Sequence, residues 1–335
     1  MSVRVRLANE ADLASVRTLV DELLVDAPID HARRFAWLYH DAPRGVAHTW
    51  LAEDEASGEV IGCTSFFRRA MCYRGRELSG ALGGDGYVRP AFRRKGVGQS
   101  LHAASQRDMG QLGIDVMFGT PMPANMTPLR SIGAVDVTFV SRHVRPLDLR
   151  RLGIGNRMVN HLAKRVMAPR TSARLEAAVP NDERIDYVWS RVKNDIGLAT
   201  VRDSKFYAWR FNYAPTQKQH PFVVMRNGEP IGVCALERTN DETMRIVDLF
   251  AEPAHVTPSI FAIAEMAVGC SQLEMRLTVE QARARSLWKS GFLEREASKP
   301  LNVVLPKGSP NTEVFWEPSH WWVTWLDTDL DVSLH

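Results

Sequence analysis

The sequence predicts an α/β (mixed α+β) chain in which one unit occurs twice in tandem, each copy a mixed, mostly antiparallel twisted sheet flanked by helices. Three observations predict it. The chain has 335 residues, 45% of them hydrophobic and 24% charged, which suits a globular protein of two ordinary domains. Strand-like and helix-like stretches follow one another in an irregular order, the mark of a mixed sheet with helices on both faces. Three short stretches of the first half return in the second, in the same order and at comparable spacing.

The elements follow in chain order. Val3 to Ala8 alternates like a strand, and Asn9 or Asp12 is placed to cap a helix carrying Leu13, Val16, Leu19, Val20, Leu23 and Leu24 on one side. His31 to Tyr39 reads as a short second helix. Thr49 to Glu53 and Glu59 to Phe67 read as strands around a turn at Ala56-Ser57-Gly58. Tyr73-Arg74-Gly75-Arg76 reads as a hairpin turn into a strand from Leu78 to Val88. Gln99 to Leu112 is helical, and Gly113 ends it. Ile114 to Gly119 is a short strand, Asn125 to Ile132 a helical turn, and Val135 to Val144 a returning strand.

The repeats are Phe35-Ala36-Trp37-Leu38-Tyr39 with Tyr207-Ala208-Trp209-Arg210-Phe211, Gly58-Glu59-Val60-Ile61-Gly62 with Gly228-Glu229-Pro230-Ile231-Gly232, and Ser131-Ile132-Gly133-Ala134 with Lys289-Ser290-Gly291-Phe292. Between the copies, Leu149 to Leu175 holds Arg150, Arg151, Arg157, Lys164, Arg165, Arg170 and Arg174 without an acid. Such a run is a solvated face, an anion site or a surface for an acidic partner. The predicted division is a first domain over residues 1–147, a basic connector over 148–180 and a second domain over 181–335.

The formal net charge of +3 does not call for a nucleic acid partner. No apolar run approaches the roughly 18 residues of a membrane span, and the start of the chain lacks the apolar core of a signal peptide. Four scattered cysteines without CxxC spacing read as reduced thiols, so a cytoplasmic location is expected.

Chemistry concentrates in Gly83-Gly84-Asp85-Gly86-Tyr87-Val88-Arg89-Pro90-Ala91-Phe92-Arg93-Arg94-Lys95-Gly96-Val97-Gly98-Gln99. A strand ends at Val88, and Pro90 stops its ladder because it has no N–H. A basic turn with two glycines then opens a helix. Free N–H groups and the partial positive charge of a helix start form an anion site, and glycines let phosphate oxygens approach the backbone. The Walker pattern is absent, and GxGxxG fails because Leu101 stands where the third glycine belongs. Arg93-Arg94-Lys95-Gly96-Val97-Gly98 instead satisfies Arg/Gln-x-x-Gly-x-Gly/Ala.

With Val88 and Pro90 before the loop, Leu101 after it, the strand at Ile114 to Gly119, and Asn125 and Gly133 downstream, residues 3–145 resemble the GNAT (GCN5-related N-acetyltransferase) superfamily. The resemblance implies a tandem arrangement and an acyl-CoA site, with acetyl-CoA the expected co-substrate and no metal. The pantetheine arm would lie between two splayed strands near Tyr87 and Val88. The diphosphate would rest on Arg93, Arg94, Lys95, Gly96, Val97, Gly98 and Gln99, and Asn125 would contact the arm or cap its helix. An amine on a small molecule would attack the acyl carbonyl directly. Asp85 is the candidate base, its alternative being a turn carboxylate beside Gly84 and Gly86, and Asp115 is a weaker candidate. Leu129 stands where the family often has a tyrosine acid; Tyr87 is a possible substitute.

In the second half the matching strand, Arg245 to Phe250, is followed by Ala251-Glu252-Pro253-Ala254-His255-Val256-Thr257-Pro258, with neither glycine nor a cationic cluster. This copy is expected to be degenerate and not to bind CoA. Trp316, Trp321, Trp322 and Trp325 crowd around His320 before Asp327-Thr328-Asp329, either as a binding wall for a sugar or amine or as a strand sealing the core. Trp209 and Arg210 would line a cleft between the halves or sit on an exposed helix. The functional expectation is N-acyl transfer; the alternative is a module that binds or senses acyl-CoA without turnover.

Overall fold

The computed structural model describes residues 2–148, 171–239, 242–309 and 313–327. The basic residues from Arg150 to Arg170, and Thr328 and Asp329, lie outside the described residues.

In the first half β1 (Val3–Leu7), α1 (Leu13–Leu23) and α2 (His31–Tyr39) precede β2 (His48–Asp54), β3 (Val60–Tyr73) and β4 (Arg76–Val88). Then come α3 (Val97–Asp108), β5 (Val116–Gly119), α4 (Pro123–Ser131) and β6 (Val135–Pro146). Asn9 accepts from Ala11 N–H, and Asp30 caps α2 by accepting from Arg33 N–H. Adjacent residues of the central strands face opposite ways, as the pleat requires. Trp50, Phe66, Ala81 and Met117 pack under α3 with Val97 and Leu101. Leu51, Phe67, Leu82 and Phe118 face the other core, with Val16, Leu19 and Phe35 of α1 and α2.

The second half repeats the order with β7 (Ala173–Ala177), α5 (Glu183–Val192), β8 (Leu198–Thr200), α6 (Ser204–Tyr207), β9 (Gln219–Arg226), β10 (Glu229–Arg238) and β11 (Thr243–Ala251). It ends with α7 (Pro253–Met266), β12 (Gln272–Thr278), α8 (Val279–Ala284) and β13 (Leu293–Val304). Ala173–Ala177, inside the segment predicted as connector, is thus a strand, paired with β9.

Among the described residues one sheet runs β1-β2-β3-β4-β5-β13-β6-β12-β11-β10-β9-β7. Matching β1 to β7, β2 to β9, β3 to β10, β4 to β11, β5 to β12 and β6 to β13 makes this order read the same from either edge. Each half sends its last strand across: β13 lies antiparallel to β5, and β6 lies antiparallel to β12, with β13 and β6 paired between them. The division at 147/181 is therefore one of sequence, while the sheet is shared. β8 breaks the symmetry by pairing with β3.

The repeats mark the symmetry. Gly58 and Gly228 take φ of +72° and +87°, and Gly133 and Gly291 take +85° and +84° at the turns into the exchanged strands. Trp37 and Trp209 stack at 4.6 Å, and each indole N–H donates to the other residue's carbonyl, at 2.8 and 2.9 Å. Trp209 and Arg210 are buried, so neither sits on an exposed helix. Trp321 and Trp322 are buried, and Asp327 pairs with the buried Arg202 at 2.5 Å, so this aromatic run seals the core. No described helix is long and apolar enough to cross a membrane.

Candidate active site

β4 and β5 run parallel only from Gly80 opposite Val116 to Leu82 opposite Phe118. β4 then continues to Val88 without that neighbour, and a cleft opens where the two part. A bulge assists the parting. Cys63 faces Tyr87 and Ser65 faces Gly84, so Asp85 and Gly86 together stand opposite Thr64. Asp85 takes φ +47°, a left-handed conformation that aspartate tolerates better than most residues.

The Asp85 carboxylate accepts from both terminal nitrogens of Arg34, each at 2.8 Å, and from the Tyr39 hydroxyl at 2.9 Å. The Arg34 and Asp85 side chains are 3% and 4% exposed. Tyr39 in turn meets Ser65 Oγ at 3.1 Å. Burial, and then the Asp85 charge, push the Tyr39 phenol well above its ordinary range. Protonating Asp85 would break a buried ion pair, at a cost of about 3–5 kcal/mol. The expectation that Asp85 takes the amine proton is corrected on this ground: both oxygens are committed, and the group locks α2 onto the β4 bulge. Asp115 accepts from Ser79 N–H at 2.8 Å, away from the cleft, and serves the backbone there.

Beyond Val88 the chain makes a 3-10 turn at Pro90–Phe92, and Gly96 caps α3 with φ +83°. A Cβ on Gly96 would meet nothing within 4 Å, so the backbone conformation, rather than lack of space, asks for glycine. Arg94 is also left-handed, at φ +60°. Arg93 folds back, its Nε donating to Val88 O at 2.8 Å. The first-turn N–H groups of α3 point into a cavity of about 740 Å³. Tyr87, Val88, Arg93, Arg94, Gly96, Val97, Gly98, Gln99 and Asn125 all line it. Lys95, predicted with them, does not; its ammonium lies 5.5 Å from the Phe92 ring. Asn125 does not cap α4, whose N-cap is Met122.

A second cavity of about 260 Å³ adjoins the first, and Thr64, Gly86, His102, Met122 and Asn125 line both. It reaches Leu24 and Arg34 on one side of the sheet and Leu129 on the other, so it threads the gap between β4 and β5. Asp85 lines this inner space. Three residues here escaped the sequence argument. His102 stands four residues beyond Gly98, on the same side of α3, a spacing that could have flagged it. Burial pushes its imidazole down to about 4, so it is neutral near pH 7. Thr120 follows β5, and Asn302 arrives on β13; neither leaves a signal in the sequence.

The second half has the same frame and a different opening. Asp248, on β11, accepts from Tyr207 Oη at 2.7 Å, from Thr324 Oγ1 at 2.8 Å and from Arg202 Nε at 3.3 Å. α7 begins at Pro253 itself, and its N-cap residue Glu252 pairs with Arg191 at 2.8 Å. No glycine turn intervenes.

Residues 16–127 match the model of the acetyltransferase (GNAT) family. No curated protein matches the chain in sequence. Solved structures share its fold. A GCN5-related N-acetyltransferase from Anabaena variabilis ATCC 29413 superposes with a TM-score of 0.67 at 14% identity, covering 90% of this chain and 72% of its own. Eis1 from Mycobacterium abscessus gives 0.58 at 15%, covering 91% and 73%. Saccharomyces cerevisiae N-myristoyltransferase with bound myristoyl-CoA gives 0.53 at 12%, covering 90% and 82%.

Proposed function

On the premise that residues 16–127 belong to the GNAT family, we propose that the chain is an acyl-CoA-dependent acyltransferase acting on a primary amine of a small molecule. The observation that carries this is the continuous path from the amide-lined mouth of α3 to the inner cavity between β4 and β5. The diphosphate rests on the first turn of α3 with Arg93 and Arg94 beside it, where unpaired N–H groups and the helix dipole favour anions. The pantetheine arm runs past Val88 and Asn125. The yeast N-myristoyltransferase of the same fold holds an acyl-CoA, which supports placing one here. The acyl carbonyl then lies in the inner cavity, and an amine entering from the α1–α2 side attacks it. The C–N bond forms as the C–S bond breaks, and the thiolate of CoA leaves. The chain contributes by holding the reactants together and by excluding water.

One observation favours acyl-CoA binding without turnover: Asp85 is committed to Arg34, and Leu129 fills the position of the missing tyrosine. Release of free CoA in the presence of an amine panel separates the two readings.

The test of the site is calorimetric titration with CoA and acetyl-CoA. Gly96→Glu adds negative charge and strains the φ +83° residue, and is expected to weaken binding at least about a hundredfold, the effect of some 2.8 kcal/mol. Ala254→Glu, in the first turn of α7, is expected to leave affinity within about twofold. Equal affinity of wild type and Gly96→Glu would remove the diphosphate from this loop.

A further inference from the structure

The inner cavity has apolar walls, among them Leu24, Phe66, Met117 and Leu129, but its polar groups are unusual. His102 Nδ1, Thr120 Oγ1 and Asn302 Oδ1 are buried and have no hydrogen-bond partner. Leaving a buried polar atom unmatched costs free energy, so three around one chamber indicate that its occupant supplies the partners. The orientation of Asn302 is fixed. Its Nδ2 donates to Asp136 Oδ1 at 3.0 Å, and Arg130 donates to Asp136 Oδ2 at 2.8 Å. A carboxylate only accepts, so the amide nitrogen must face Asp136 and Oδ1 is left as an acceptor.

The chamber calls for a donor at Asn302 and for a group that accepts or donates at Thr120 and His102. A plain alkyl chain offers neither. A second carboxylate would oppose the Asn302 acceptor, and the one cation lining the chamber, Arg34, is already matched by Asp85. Size narrows the choice. A void of about 150 Å³ admits benzene, so a chamber of about 260 Å³ exceeds the needs of acetyl.

We propose that the acyl group carried by CoA is a short hydroxyacyl chain rather than acetyl, and that Asn302 is its specificity-determining contact. This rests on the acyl-CoA reading above. The exchange of strands gives it a structural basis. Asn302 stands opposite Gly119 at the end of β5, so the half without a phosphate loop furnishes a selecting residue to the half that has one.

The test is calorimetric titration of the full chain with CoA, butyryl-CoA and 3-hydroxybutyryl-CoA, which needs no acceptor. 3-Hydroxybutyryl-CoA is expected to bind about tenfold tighter than butyryl-CoA, the effect of one net hydrogen bond. In Asn302→Leu the ratio is expected to fall to one or below, with affinity for CoA kept. Thr120→Val, which preserves shape and needs no refolding of the Asp136 contact, is expected to reduce the ratio as well. Equal affinity of the two acyl-CoAs for wild type, with CoA itself bound, overturns the hydroxyacyl inference and leaves the acyltransferase reading intact. Failure of CoA to bind overturns both. A ratio that survives both substitutions removes Asn302 and Thr120 from the selection.

Discussion

The two halves build the same sheet, yet only one opens it to a ligand. Asp85 and Asp248 each stand five residues before the proline that ends the strand, Pro90 and Pro253. Each is buried and each takes an arginine and a tyrosine hydroxyl: Arg34 and Tyr39 for the first, Arg202 and Tyr207 for the second. Past the proline they part. In the first half the 3-10 turn and the segment Arg93 to Gly96 swing the chain out before α3 begins at Val97. In the second, α7 begins at the proline, and Glu252 occupies its N-cap. What both halves keep serves the fold, and what one half alone has serves the site. By that criterion the aspartate belongs to the architecture, and the glycine loop, His102 and Asn125 belong to the ligand.

The largest expected effect breaks the molecule along this comparison. β6 is paired only with strands of the second half, β12 and β13, and β5 takes β13 as its second neighbour. Residues 1–147 alone would expose the edge of β5 and leave β6 without partners, a template for aggregation. The isolated fragment is expected to be insoluble or unfolded and to bind no CoA, and co-expression with residues 148–335 is expected to restore both. A soluble fragment with a cooperative unfolding transition would show that the exchange is dispensable.

Next in size are the paired aspartates. Asp85→Asn and Asp248→Asn each break a buried ion pair, with an expected cost of about 3–5 kcal/mol in urea unfolding. Arg202 keeps Asp327 at 2.5 Å when Asp248 is replaced, so Asp85→Asn is expected to cost the more. A variant Asp85→Asn with unchanged stability and no turnover would restore Asp85 as the base.

The palindromic sheet was partly legible beforehand. The three repeats fixed the correspondence of the halves because glycines at positive φ and a stacked tryptophan pair are local demands that leave local signatures. The loop from Arg93 to Gly98 was legible for the same reason, since an anion site at a helix start is written in consecutive residues. The crossing of β6 and β13 was not. Strand partners at long range leave no mark on alternation, which looks the same whichever neighbour a strand takes. For the same reason Asn302 could not be assigned to a cavity whose other walls lie between Leu23 and Leu129. Asp85 was misjudged because its partner Arg34 sits on a helix that reads as a routine amphipathic element. A carboxylate on the bulged strand is visible in sequence, and the guanidinium that occupies it is not.

A smaller effect separates the two packing helices. The buried face of α7 carries Val256, Ser259, Ile260, Ala262 and Ile263, none of which titrates. α3 carries His102, depressed from 6.5 to about 4 by burial. The unfolded chain binds this proton more readily than the native one, so stability from His102 is complete above about pH 6.5 and is lost as pH falls toward 4. His48 and His143 are depressed in the same direction, also chiefly by burial, and add to the decline. The urea midpoint of His102→Gln is therefore expected to fall less between pH 7 and pH 4.5 than that of wild type. Parallel profiles would mean that His102 is protonated without penalty in the native state, and its chamber would then offer a charge rather than a neutral donor and acceptor.

The finest comparison lies at Trp37 and Trp209, where the halves meet as near equals. Trp37→Phe and Trp209→Phe each keep an aromatic ring and remove one indole donor, leaving the opposite backbone carbonyl without its partner. Their cations differ slightly: the Arg69 guanidinium lies 5.1 Å from the Trp209 ring and that of Arg210 lies 5.7 Å from the Trp37 ring. The two single substitutions are expected to cost the same within about 0.5 kcal/mol, with Trp209→Phe the greater. The double substitution is expected to cost less than their sum by about 0.5–1.5 kcal/mol, the range measured for coupled aromatic pairs. The sign follows from geometry, since the first change already spoils the stacking that the second would remove. Additive costs would mean that the two indoles rest on separate supports, and the pair would mark the symmetry of the fold without holding its halves together.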